Sequence, residues 1–167
     1  MAGTLVDIRE RLRLAANSRH AHGPRLDIVS TTPAPIDVAA EVRAAEQRSR
    51  PYLLTTPAVP SIGLTAAIGS EVVLKCENLQ HTGSFKARGA VSKVLSLTPD
   101  ELERGVITAS TGNHGAAVAY AGSIVGVAPT VVVPDNANPS KLAAIERLGG
   151  RIEVHGSDSV ESELGAR

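Results

Sequence analysis

From Glu71 onward, short runs of β-branched residues alternate with longer helical stretches, and this rhythm constrains the fold more than any other feature of the chain. EVVLKCE, VITA, PTVVVP and RIEVH read as strands. Residues 86–97, 99–104, 116–125 and 140–148 carry helical patterning. The third of these stretches stops at Gly126, the fourth at Gly149 and Gly150. Strand and helix alternating at these lengths predict a parallel sheet covered on both faces, an α/β, three-layer αβα arrangement. The apolar content, 43% of 167 residues, is mostly Ala, Val, Leu and Ile, with Phe85, Tyr52 and Tyr120 the only aromatics. Such a core suits closely packed helices and strands.

Upstream the rhythm is absent. Residues 4–16 read as a short amphipathic helix, with Leu5, Ile8, Leu12 and Ala15 at helical spacing and Thr4 and Asp7 as a capping pair. ANSRHAHGPRLDIVSTTPAP is polar, broken by Pro, and reads as a linker. A second helix is expected over residues 36–49, with Ala39, Val42 and Ala45 on one face, and RPYLLTTPAVP is expected to be extended. SVESELGAR reads as the first turns of a further helix, and a doubly wound domain normally continues past such a point.

Several classes of function are disfavoured. Seventeen basic and 17 acidic side chains leave no cationic surplus for nucleic acid. No apolar stretch reaches membrane-spanning length, and no secretory signal is visible. The single Cys76 rules out an internal disulfide framework and suits a reduced, cytoplasmic setting. No metal site is assigned.

Two stretches carry chemistry. In LQHTGSFKARGA, residues 78–84 have loop chemistry, and Ser84 can cap a helix starting near Phe85. Lys86 then stands in the first helical turn, where the helix dipole disfavours a cation. That field, together with burial, lowers the pKa of an amine and suits it to Schiff-base chemistry. The competing reading is a surface lysine at the start of an ordinary helix. In ITASTGNHGAAVAYAG, a strand leads into a helix through a loop in which Gly112 and Gly115 permit close backbone approach. Ser110, Thr111 and Asn113 add polar groups, and His114 can titrate near neutrality. Free N–H groups at the helix start suit a carboxylate or phosphate. A tight, self-capped turn is the competing reading. The loop is neither a P-loop nor a G-x-G-x-x-G fingerprint.

Taken together, KCENLQHTGSFKARGA and STGNHGAAVAYA resemble the lysine motif and asparagine loop of the serine/threonine dehydratase and serine racemase group of pyridoxal-phosphate enzymes, the type II (tryptophan synthase beta-like) fold. RPYLLTTP, VVVPDNANPSKLAAIERLGG and RIEVHG match the same pattern, so the likeness runs from residue 36 to the C-terminus. The resemblance implies that Lys86 carries pyridoxal 5'-phosphate and moves the substrate Cα proton. It implies that Phe85 packs against the cofactor and Asn113 hydrogen-bonds its 3-oxygen. It implies that Ser110, Thr111, Gly112 and His114 hold the substrate carboxylate, with Ser84 in support.

The implied reaction converts a β-hydroxy amino acid to a 2-oxo acid and ammonia. Thr111 stands where racemases of the group place Ser, which favours dehydration, and Ala116 stands where many relatives have Gln. Ala87 after the lysine favours the dehydratase branch over the cysteine- and threonine-synthase branches, which place an acidic residue there. In this group the cofactor's phosphate loop lies in the later half, which is not in the sequence. The expectation is a portion of such an enzyme, weak or inactive alone, with a non-catalytic binding remnant as the alternative. Residues 1–35 are then an extension, 36–90 the N-terminal part of a large cofactor domain, and 91–167 a small doubly wound domain. Relatives are commonly homodimers.

Overall fold

A computed structural model describes residues 36–167, and the helix and linker expected over residues 4–35 lie outside the described residues. The first described helix, α1 (Val38–Ser49), starts where the Asp37 carboxylate accepts from the Ala40 N–H, satisfying a donor that the helix itself cannot. Near its end, Arg48 donates to the Ser92 carbonyl and hydroxyl, both at 3.1 Å, which ties α1 to a later helix.

RPYLLTTPAVP opens with one 3₁₀ turn (Arg50–Tyr52) and ends in strand β1 (Ala58–Pro60). Helix α2 (Ile62–Ile68) was not anticipated. It is capped by Ser61, and Gly69, at φ 75°, ends it; seven residues are too few for a helical period to register against strand-like flanks. Strand β2 (Val73–Lys75) lies within EVVLKCE, a strand as expected but not a member of the parallel sheet predicted for it. It pairs antiparallel with β1, apart from the parallel sheet.

The doubly wound part follows: α3 (Lys86–Val94), α4 (Pro99–Glu103), β3 (Ile107–Ala109), α5 (Asn113–Val125), β4 (Thr130–Val133), α6 (Pro139–Arg147), β5 (Arg151–Val154) and α7 (Ser159–Gly165). Thr98 and Glu101 form a reciprocal capping box at α4. The strands lie in the order β3-β4-β5, all parallel. On β4, Val131 and Val133 pack with Ala119 of α5 and Ile145 of α6. Val132, equally buried, points to the opposite face, where α7 contacts β4 and β3. Both faces of the sheet are thus covered, as the alternation predicts. Two helices lie on one side, and the chain winds back along the other.

A second core cluster joins α3 to α5: Ala90, Val91 and Val94 meet Ala117, Val118 and Ala121. Two glycines let α5 sit close to its surroundings. A Cβ on Gly115 would lie 2.9 Å from Val131 Cγ1 and 3.1 Å from the Ser110 carbonyl oxygen. One on Gly122 would lie 2.5 Å from Pro129 and from the Val127 carbonyl oxygen. Backbone and a proline ring cannot swing aside, so Gly122→Ala should destabilise the fold by about 1–3 kcal/mol, read as a lower midpoint in chemical denaturation.

Candidate functional site

The Lys86 turn is held by hydrogen bonds at its two ends. At the first, buried Gln80 uses its side-chain amide as a rung. Its Oε1 accepts from the Leu54 N–H at 2.9 Å, and its Nε2 donates to the Leu54 carbonyl at 3.0 Å. The chain then reverses through Gly83, at φ 71°, whose N–H donates to the Gln80 carbonyl at 2.7 Å. At the second end, buried Ser84 accepts from the Lys86 N–H at 3.3 Å, and α3 begins. His81 stacks beside Tyr120 with ring centroids 5.1 Å apart, and the Tyr120 hydroxyl donates to the Tyr52 carbonyl at 2.7 Å. Burial pushes the Tyr120 phenol above its ordinary pKa.

Behind the turn lies an ion-pair clamp. Arg88 donates to both oxygens of Glu77, at 2.8 and 2.7 Å, a bidentate geometry. The Thr56 hydroxyl donates to the same carboxylate at 2.5 Å, and Lys75 Nζ donates to the Thr56 carbonyl. The Arg88 hydrogen bonds, with help from Thr56 and Lys75, hold the Glu77 pKa below the ordinary glutamate value despite partial desolvation. Sequence reasoning missed both Gln80 and this clamp. The only available signal was a Glu and an Arg standing either side of the turn.

Lys86 itself is exposed, which corrects the burial expected of it. The apolar face of α3 is Ala87, Ala90, Val91 and Val94, and Lys86 lies off that face. Its Nζ sits 5.0 Å from the centroid of the Phe85 ring, which is itself 60% exposed, so an aromatic face stands directly beside the amine. The α3–α5 cluster brings His114, in the first turn of α5, into the field of Lys86. Desolvation, and then the Lys86 charge, push the His114 pKa below its ordinary value. Asn113 precedes His114 at the exposed start of α5.

The 110–113 loop extends the sheet before leaving it: the Ser110 N–H donates to the Val132 carbonyl at 3.1 Å, and the Gly112 N–H to Ser110 Oγ at 3.3 Å. α5 begins at Asn113, earlier than the Ala-rich run suggested. α7 runs back over β4 and β3 on the face opposite α5 and α6, and β3 leads directly into this loop. The carboxyl end of such a strand is where doubly wound sheets take ligands. The candidates nevertheless divide into two groups. Lys86, Phe85, Asn113 and His114 gather where α3 and α5 begin. Ser110 and Thr111 line a separate cavity of about 150 Å³ with Pro134, Ser159 and Glu163.

Residues 50–167 match the family described as pyridoxal-phosphate dependent enzyme. The chain is 40% identical over 121 residues to a rice serine racemase, covering 72% of this chain and 35% of that protein. It is 36% identical over 125 residues to a catabolic L-threonine dehydratase of Staphylococcus aureus, covering 74% and 36%. The crystal structure of the serine racemase of Dictyostelium discoideum superposes with a TM-score of 0.69 at 38% identity, over 75% of this chain and 41% of that one. The chain therefore belongs to the pyridoxal-phosphate-dependent enzyme family, with the type II fold, and spans little more than a third of the length of these curated relatives.

Two measurements check the site's electrostatics. A carboxylate with a depressed folded-state pKa adds stability that is present above its unfolded value and lost as pH falls through the folded one. Glu77→Gln should therefore destabilise the chain by about 1–3 kcal/mol at neutral pH. The gap to the parent protein should close as pH drops below the ordinary glutamate value, as followed by urea denaturation at several pH values. In an NMR titration, His114 should ionise below an ordinary histidine, and Lys86→Met should move its midpoint up.

Proposed function

We propose that this chain is part of a pyridoxal-phosphate-dependent ammonia-lyase that converts a β-hydroxy amino acid to a 2-oxo acid and ammonia. The observation that carries the reading is the exposed Lys86 amine beside the Phe85 ring, in a helix whose start adjoins that of α5. The residues suit a flat, aldehyde-bearing ring. Lys86 offers an accessible amine for covalent attachment, Phe85 a face to stack on, and Asn113 an exposed amide for the ring's oxygen. When bound, this cofactor supplies an electron sink for loss of the Cα proton. Lys86, once freed as a neutral amine, takes that proton. The backbone N–H groups at the start of α5 suit the substrate carboxylate, with His114 beside them, while Ser110 and Thr111 line the separate cavity.

Two of the relatives are named as serine racemases, which supports racemisation as the second reading. It needs a proton donor on the opposite face, and the Thr111 hydroxyl is the group at the position concerned. L-Threonine, L-serine and 3-hydroxyaspartate all fit the substrate class. Within the same reading, residues 36–90 belong to a larger cofactor domain and 91–167 to a smaller one, and two copies assemble. Zero net charge and a lone thiol suit a cytoplasmic enzyme that acts on small molecules. Among the described residues no helix is long and apolar enough to cross a membrane.

The test is to incubate the purified chain with pyridoxal phosphate, reduce with borohydride and map the adduct by peptide mass. Modification confined to Lys86, absent from Lys86→Ala, is the expected result. No adduct, or label spread over Lys75, Lys93 and Lys141, would overturn the reading.

A further inference from the structure

The first turn of α3 has little apolar purchase. The cluster that joins α3 to α5 begins at Ala90, a full turn beyond Lys86. Within the first turn only Ala87 is buried, and it brings a single methyl group. The Ser84 hydroxyl accepts from the Lys86 N–H at 3.3 Å, longer than a strong N–H···O bond. What grips this turn is Arg88, whose Nε and one terminal nitrogen donate to the two Glu77 oxygens at 2.8 and 2.7 Å.

Glu77 is a fixed point for that grip. Its side chain is only 14% exposed. It takes a third hydrogen bond from the hydroxyl of buried Thr56, whose carbonyl is held in turn by Lys75 Nζ. The acceptor is thus tied to the segments leading into β1 and out of β2, and not to α3. A fork on a carboxylate resists rotation, because both N–H groups must stay aligned with its two oxygens. A lysine would offer one point of contact and could swivel about it. Residues two apart on a helix project about 200° from each other. Pinning Arg88 at the back of α3 therefore sets the roll of the first turn and sends Lys86 out from the opposite side, beside the Phe85 ring.

We propose that Arg88, held by Glu77, is a positioning residue for the Lys86 amine: the pair sets the direction in which the amine leaves α3 and keeps it beside the Phe85 ring. This rests on the reading of Lys86 as the cofactor lysine. The pair stands on the far side of the helix and needs no contact with the reacting atoms. It acts on where the amine stands, and the bond-breaking step stays with Lys86.

The first readout needs no cofactor. NMR follows the ring-current shift that Phe85 imposes on the Lys86 ε-methylene protons, with Lys93, in the last turn of the same helix, as the reference. In Arg88→Met the Lys86 shift is expected to collapse towards that of a free lysine while Lys93 stays at its parent position. Arg88→Lys, which keeps the charge and loses the fork, should recover the shift only in part. The second readout is the borohydride-trapped pyridoxal-phosphate adduct. Its yield at Lys86 should fall about tenfold in Arg88→Met, with Lys93 and Lys141 unchanged. If Arg88→Met fails to fold, seen as lost amide dispersion, Arg88→Lys carries the test, with a smaller loss of shift in the same direction. A parent-like Lys86 shift in the folded variant, or equal changes at Lys86 and Lys93, would overturn the proposal and leave the pair a purely stabilising role. A failed cofactor reading would show separately, as no Lys86 adduct in the parent chain, with the ring-current comparison unaffected.

Discussion

The site depends on one contact, the packing of α3 against α5 through small side chains. Ala90, Val91 and Val94 on one helix meet Ala117, Val118 and Ala121 on the other. With no large residue between them, the backbones come close, and the exposed groups at the two helix starts fall within one another's electrostatic reach. The lowered pKa of His114, which owes part of its shift to Lys86, is the direct sign of that proximity. A leucine or phenylalanine in this interface would hold the helices apart and separate the amine from the loop that faces it.

The contact sets where the helices lie, and the turn before α3 sets how Lys86 leaves its helix. That turn is pinned by groups of different kinds. The Gln80 amide substitutes for a missing strand partner at Leu54. Gly83 supplies a conformation that side chains resist. The Arg88–Glu77 pair closes a loop from one end of the turn to the far side of the helix. Loop closure of this length costs little entropy, so one good pair and one buried amide suffice to hold it.

Much of this was legible in the sequence. The β-branched runs and the glycines that end helices revealed the parallel sheet and its covering layers, because period and helix stops are local properties. Ser84 could be read as a cap for the same reason. Features that depend on distant partners were not legible. The antiparallel β1–β2 pair and helix α2 lie in a stretch where prolines and short segments blur the period. The Gln80 rung joins residues 26 apart in sequence, and nothing local in Gln80 marks it. The exposure of Lys86 contradicted the expected burial because the apolar face of α3 is set by Ala87 and Ala90, one position round the helix.

Interfaces built from alanine and glycine also have a mechanical character. Long side chains can change rotamer and let two helices slide by fractions of a turn, whereas Cβ atoms in direct contact offer no such slack. Gly122 and Gly115 add backbone-to-backbone stops on the far side of α5. α3, α5 and β4 are therefore packed against one another with little slack between the Lys86 and Asn113 ends. On the other face of the sheet, the polar N-terminal end of α7 meets no such packing and instead lines the Ser110–Thr111 cavity.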